Sequence, residues 1–290
     1  MTPDSRADDG RRAAGGTRVA LTRDVSPALG RCELTHLPRV AIDAGIAHAQ
    51  HAAYEAALEA LGCTVVRLAP APDLPDAVFV EDTAVVLPEI AVVTRPGAAS
   101  RRPETASTAR ALAVHRPLAF IEEPGTLDGG DVLKLGRTIW VGASGRSNTS
   151  GAEQLRTLLS PFGYAVRSVP VTGCLHLKSA ASPVAPDRLL LNPAWVDPSL
   201  FDGVPHLETD PAEPQAANAL LVGEAVIYPA SFPRTRARLE ALGVHVIPVD
   251  ISELQKAEGA VTCCSLVFEA LAPIGRVGLG SAAVGELVRR

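Results

Sequence analysis

Short apolar, β-branched runs recur along the chain in a fixed order: a run, a turn, a second run and a loop. The stretches "EDTAVVLPEIAVVTRPGAASRRPE" from Glu81, "GGDVLKLGRTIWVGASGRSNTSGAEQLRTLLSPFGYAVRSVPV" from Gly129 and "ANALLVGEAVIYPASFPRTRARLEALGVHVIPVDI" from Ala217 all begin this way. In the second and third, a helical stretch and another β-run follow, with Gly before that last run, as a helix C-cap requires. A degenerate copy, "LKSAASPVAPDRLLLNPAW", begins at Leu177, and the N-terminal segment supplies a fifth as "TRVALTRDV", the amphipathic "AHAQHAAYEAALEALG" and "CTVVRLAP". Unit starts near residues 17, 81, 129, 177 and 217 give five ββαβ-like modules of about 40 to 65 residues. None can bury its faces alone, so the pattern predicts an α/β chain packed radially about a pseudo-fivefold axis. The ends of the inner strands then meet in one central cleft.

Composition narrows the classes. With 290 residues, 47% of them hydrophobic and 20% charged, the chain is long enough to bury a sizeable core and reads as a soluble globular protein. A net charge of −5 argues against a nucleic-acid or anionic-membrane surface and makes a small cationic ligand the more natural partner. No apolar stretch approaches the ~18 residues of a membrane span, and "MTPDSRADDGRRAAGGT" lacks the apolar region of a signal peptide. Residues 1–16 are expected to form a disordered tail. Cys32, Cys63, Cys174, Cys263 and Cys264 are odd in number and lack CxxC spacing, which disfavours a disulfide framework or a structural zinc site and suits reduced thiols in a cytoplasm.

Chemistry-bearing residues fall at the module ends. "DAVFVED" carries Asp76, Glu81 and Asp82; "TLDGGDV" carries Asp128 and Asp131; "CLHLKSA" carries His176; and "AVTCCS" carries Cys263 and Cys264. Singly, each has a plain reading as a turn, cap or core residue. Their recurrence at equivalent places of successive modules favours a shared site.

The run FVEDTAVV, LDGGDVL, GRSNTSGAE, LHLKSA and ELQKAEGAVTCCS resembles the dimethylargininase family, within the guanidine-modifying superfamily of arginine deiminases and amidinotransferases. The resemblance spans residues 17–268, treated as a single catalytic domain, and leaves 269–290 as an unassigned extension. It implies a five-bladed α/β propeller, in agreement with the repeat. It also implies Cys263 as nucleophile, His176 as general acid and base, and Asp128 as the carboxylate that orients the histidine. Asp82, with Glu81 beside it, would hold the substrate guanidinium, Arg101 and Arg146 its carboxylate, and Asp76 its ammonium. "SPALGRCELTH", residues 26–36, matches the family's mobile lid, with Leu34 closing over the ligand. Cys264 is expected to point to the opposite face by strand alternation and stay inert, and Asp131 is read as structural.

The implied reaction is hydrolysis of methylated arginines to citrulline through a covalent cysteine intermediate, with no cofactor or metal, in a monomer or homodimer. The rivals are an arginine deiminase, an amidinotransferase, and an inactive arginine-binding or zinc-sequestering propeller. Deiminases carry an acid two residues after the histidine, where this chain has Lys178.

Overall fold

A computed structural model of the chain describes residues 17–270. Residues 1–16 and 271–290 lie outside it, so the tail and most of the C-terminal extension are outside the described residues. Five three-stranded sheets are present, each with the same internal pattern: an antiparallel first pair and a parallel second pair. In chain order the first unit holds β1 (Arg18–Thr22), α1 (Ala44–Ala60) and β2 (Cys63–Arg67). The second holds β3 (Ala84–Val86), β4 (Ala91–Val93), α2 (Thr105–Leu112) and β5 (Leu118–Phe120). The third holds β6 (Val132–Leu135), β7 (Thr138–Ala143), α3 (Thr149–Leu159) and β8 (Ala165–Pro170). In the fourth, a one-turn helix α4 (Leu177–Ala180) leads into β9 (Ala181–Ala185), β10 (Arg188–Leu191) and β11 (His206–Glu208). The fifth holds β12 (Leu220–Val222), β13 (Ala225–Pro229), α5 (Pro233–Ala241) and β14 (His245–Val249), and α6 (Ser252–Gln255) leads to β15 (Leu266–Glu269).

The repeat is therefore real, with two departures. The N-terminal unit has only two strands of its own. Its third is β15, which pairs antiparallel with β1 in the register Arg18 with Glu269 through Leu21 with Leu266, so the end of the chain closes the ring. The fourth unit replaces its long helix by a 3-10 turn at Pro198–Phe201, where "NPAWVDPS" spends two prolines that an α-helix interior rejects.

Local chemistry explains the elements. Asp43 caps α1 by accepting the Ile46 N–H at 3.0 Å, and Asn148 caps α3 by accepting the Gly151 N–H at 2.8 Å, contacts each worth about 1 kcal/mol. Gly163 and Gly243, with φ of 75° and 80°, fill the left-handed positions that precede β8 and β14. Middle strands read almost wholly buried, as in Ala225–Pro229, because a strand paired on both edges inside the packed molecule has both faces covered. No helix among the described residues is long and apolar enough to cross a membrane.

Candidate active site

Each unit delivers its chemistry just before its first strand. Val80–Thr83 forms a 3-10 turn ahead of β3, Gly129–Asp131 forms another ahead of β6, and His176 stands immediately before α4. Cys263 and Cys264 lie in the turn before β15 rather than in a strand. Strand alternation is thus not what separates the two thiols. The turn itself does so: Cys264 is fully buried in the core with Tyr54, its Sγ 3.5 Å from the Ala260 carbonyl, while Cys263 is only partly buried and lines a cavity.

That cavity has about 20 Å³ of free space and is lined by Asp76, Asp82, Arg101, Arg146, His176 and Cys263 together. It holds about one water-sized sphere, so an arginine-sized molecule needs the covering segment to move. His176 is enclosed on both ring nitrogens. Nε2 lies 3.1 Å from Asp128 Oδ2, and Nδ1 lies 3.8 Å from Asp82 Oδ1. The aspartate side chain is thus long enough to reach the ring. Burial alone pushes the imidazole down, but the charge of Asp82, the hydrogen bond to Asp128 and the charge of Asp131 raise it to about 9. Burial pushes Asp82 up; His176 and Arg101 outweigh it and hold the carboxylate at about 2. Gly130 makes this packing possible, since a Cβ there would sit 2.6 Å from His176 Nδ1 and 2.8 Å from Asp82 Oδ1.

Cys263 has the opposite electrostatics. Burial first, then the charges of Glu81 and Asp82, push its thiol well above the ordinary value. Glu81 lies behind the cavity with both oxygens occupied: Lys178 Nζ donates at 2.6 Å and Thr262 Oγ1 at 2.7 Å. Lys178 lines a separate cavity that Glu81 also borders and does not line the one that holds His176 and Cys263.

Arg101 is buried and fully engaged. Its guanidinium donates to Asp82, to both oxygens of Glu104 at 3.2 and 2.8 Å, and to the Phe79 carbonyl at 2.9 Å. Arg146 donates to Thr35 Oγ1 at 3.1 Å, and Asp76 accepts the Glu33 N–H at 3.1 Å. Both therefore touch residues 26–36, of which Glu33 lines the cavity; Leu34 does not line it and packs against the same hydrophobic cluster as Cys263.

Asp131 is wholly buried. It accepts the N–H of Leu177, next to His176, at 3.0 Å, and the hydroxyl of Ser147 at 2.6 Å, whose oxygen in turn accepts the Asp128 N–H at 3.1 Å. Burial raises it to about 6 against these bonds.

Two further residues join the site that the motifs did not single out. Glu104 neutralises Arg101. Asn218 holds Thr262, next to the nucleophile candidate, by donating to its Oγ1 at 2.9 Å and accepting its N–H at 3.1 Å. The signal for Asn218 was available: it stands before β12 where other units carry Asp82, Asp128 and His176.

No protein-family model matches the chain. Over 253 residues, 86% of this chain and 96% of the relative, it is 45% identical to N(G),N(G)-dimethylarginine dimethylaminohydrolase of Streptomyces coelicolor. The chain belongs to the dimethylarginine dimethylaminohydrolase family. A second member, from Pseudomonas aeruginosa, is 38% identical over 221 residues, 76% of this chain and 87% of the relative. A solved structure of a Pseudomonas aeruginosa dimethylarginine dimethylaminohydrolase, a cysteine-to-serine variant complexed with citrulline, matches with a TM-score of 0.82 at 35% identity, covering 86% of this chain and 98% of that one. The five sheets are thus the five-bladed α/β propeller of this family.

If Asp128 orients His176, then Asp128→Asn leaves the fold intact but presents an amide where the ring needs a carboxylate. The expected outcome is a fall in kcat of about 10²–10⁴-fold with KM nearly unchanged. Steady-state kinetics measure it, and an unchanged kcat removes Asp128 from the mechanism.

Proposed function

We propose that this chain hydrolyses Nω-methylated arginines, mono- and asymmetrically dimethylated, to citrulline and methylamine or dimethylamine. The observation that carries the reading is His176 set between Asp82 and Asp128, at 3.8 and 3.1 Å, in the same cavity as Cys263, with the two carboxylates raising the imidazole and burial raising the thiol. A guanidinium is cationic and resonance-stabilised, so it needs a soft nucleophile, a carboxylate to hold it and an acid for the leaving amine.

In the first half-reaction the cationic guanidinium binds, the Cys263 thiol releases its proton to solvent, and the thiolate attacks the guanidinium carbon. His176 donates its proton to the methylated nitrogen, the carbon–nitrogen bond breaks, and an S-alkylthiouronium forms. In the second, neutral His176 takes a proton from water, whose oxygen attacks the same carbon. The carbon–sulfur bond then breaks and the hydroxyl of the adduct gives up its proton, which restores the Cys263 thiol as citrulline is released. Asp82 holds the guanidinium, and its strongly depressed carboxyl keeps the charge this needs. Arg146 and Arg101 face the substrate carboxylate and Asp76 its ammonium. Arg101 also keeps Asp82 ionised, and its saturated hydrogen bonds favour Arg146 as the more available clamp.

The position where a deiminase would carry a second acid is Lys178, whose charge is spent on Glu81 behind the cavity. No carboxylate there can hold the second nitrogen of free arginine. Methylated arginines should therefore exceed arginine in kcat/KM by at least about tenfold, the scale of a methyl-sized discrimination. Citrulline release under competing substrates measures the ratio. A preference for arginine moves the chain to the deiminase branch, and no citrulline from either leaves only a binding protein.

A further inference from the structure

The turn after α6 breaks a local rule. Gly259 N–H donates to the Leu254 carbonyl at 3.0 Å, closing the helix end, and the residue in the left-handed conformation there is Glu258, with φ of 58°. Glycine fills such a position without steric cost, and the chain has a glycine one place later. Gly259 cannot be exchanged with it, because a Cβ there would lie 2.3 Å from the Phe79 ring. A bulky residue kept in this conformation by its surroundings points to a task for its side chain.

The task is visible in its contacts. The Glu258 carboxylate accepts three consecutive main-chain N–H groups from the covering segment: Thr35 at 3.0 and 3.1 Å, His36 at 2.5 Å and Leu37 at 2.6 Å. Main-chain N–H groups converging on one anion form a nest, and bonds to an ionised acceptor are among the stronger ones. Glu258 also stands between two spaces. With Gly259 and Leu175 it lines both the 20 Å³ catalytic cavity and an adjoining chamber of about 240 Å³, which His36, Leu37, Trp195 and Phe232 also bound. Two further ties on this segment run to Asp76 and Arg146, the groups proposed to meet the substrate's ammonium and carboxylate, so substrate binding competes with them; Ser100 Oγ also donates to Glu33 Oε1 at 2.6 Å, and Arg39 to the Cys32 carbonyl at 2.6 Å. No proposed substrate contact competes with Glu258.

We propose that Glu258 is the latch of the lid: its carboxylate holds residues 35–37 shut over Cys263, and releasing those three N–H groups joins the 240 Å³ chamber to the catalytic cavity as the path for substrate and product. The identity of the substrate rests on the function proposed above; the latch itself does not. Glu258 is a positioning residue, acting through the lid and not on the reacting atoms.

Glu258→Gly tests it without endangering the fold, because it removes the carboxylate and relieves the left-handed backbone in one change. Amides of residues 35–37 should exchange with solvent at least about tenfold faster than in the unmodified chain, as loss of bonds to a charged acceptor implies. Trypsin should cut after Arg31 and Arg39 at a correspondingly higher rate. KM for dimethylarginine should rise about tenfold or more, with kcat changing less. Glu258→Gln, which keeps an oxygen acceptor of the same reach, should recover part of the amide protection. Unchanged exchange in Glu258→Gly overturns the latch whatever the activity, as does a fall in kcat with KM and exchange unaltered. If the unmodified chain does not hydrolyse methylarginines, the proposed function fails and the exchange rates still decide the latch.

Discussion

Cys263→Ser stops hydrolysis of dimethylarginine, lowering kcat by at least about 10⁴-fold, while Cys264→Ser retains most of it. The two thiols are adjacent in sequence and unlike in place. Cys263 shares a cavity with His176 and Asp82, whereas Cys264 is fully buried with no access to it. A serine at 263 offers an alcohol far harder to ionise than a thiol, beside carboxylates that already disfavour an anion. A serine at 264 places a hydroxyl in an apolar cluster, costing about 1–3 kcal/mol of stability, less whatever it regains by bonding the Ala260 carbonyl that Cys264 Sγ now faces at 3.5 Å. Citrulline formation by both variants, with thermal melts as a control on folding, measures the contrast. Equal losses, or loss only at 264, would remove Cys263 as nucleophile.

The second large effect concerns when the thiol ionises. Burial, Glu81 and Asp82 hold the free protein's Cys263 neutral at pH 7, and His176, raised to about 9, is already protonated there. On the proposed mechanism, a guanidinium bound against Asp82 would add the positive charge that stabilises a thiolate, and the substrate would activate the nucleophile. A cationic reagent, chloroacetamidine, should therefore alkylate Cys263 at pH 7 at least about tenfold faster than neutral iodoacetamide does, each rate taken relative to a free thiol. Equal relative rates, or a thiolate absorbance in the free protein titrating near pH 6, require a resident thiolate–imidazolium pair instead. The histidine also sets a stability trend. Its folded value lies above the unfolded one of about 6.5, so its contribution is complete below that pH and disappears as pH rises through about 9.

Much of the fold was legible because its signals are local. β-branched runs mark the strands, and glycines such as Gly163 and Gly243 mark the helix ends. Closure of the ring was not legible, because β15 pairs with β1 across 251 residues and nothing in "SLVFE" names its partner. The site divides the same way. Asp82, Asp128, His176 and Cys263 could be read from motifs at module ends. Lys178 could be seen but not aimed: its pairing with Glu81, and so its absence from the catalytic cavity, depends on how the second and fourth units meet. Glu104 and Glu258 lie inside stretches that carry the repeat and the resemblance, but nothing in those stretches marked either side chain for a role. Glu104 matters through Arg101, and Glu258 through main-chain N–H groups more than 220 residues away. Even for Cys264, the expected inertness rested on strand alternation, whereas the pair lies in a turn and burial alone sets it apart.

The most direct measurement is mass spectrometry of the protein quenched in acid during turnover of dimethylarginine. The mechanism requires an adduct equal in mass to the substrate less dimethylamine, and proteolysis should locate it on the peptide carrying Cys263, with the adduct lost in Cys263→Ser and kept in Cys264→Ser. Citrulline formed with no adduct at any quench time, under conditions that trap a thiouronium standard, or an adduct confined to Cys264, would contradict it.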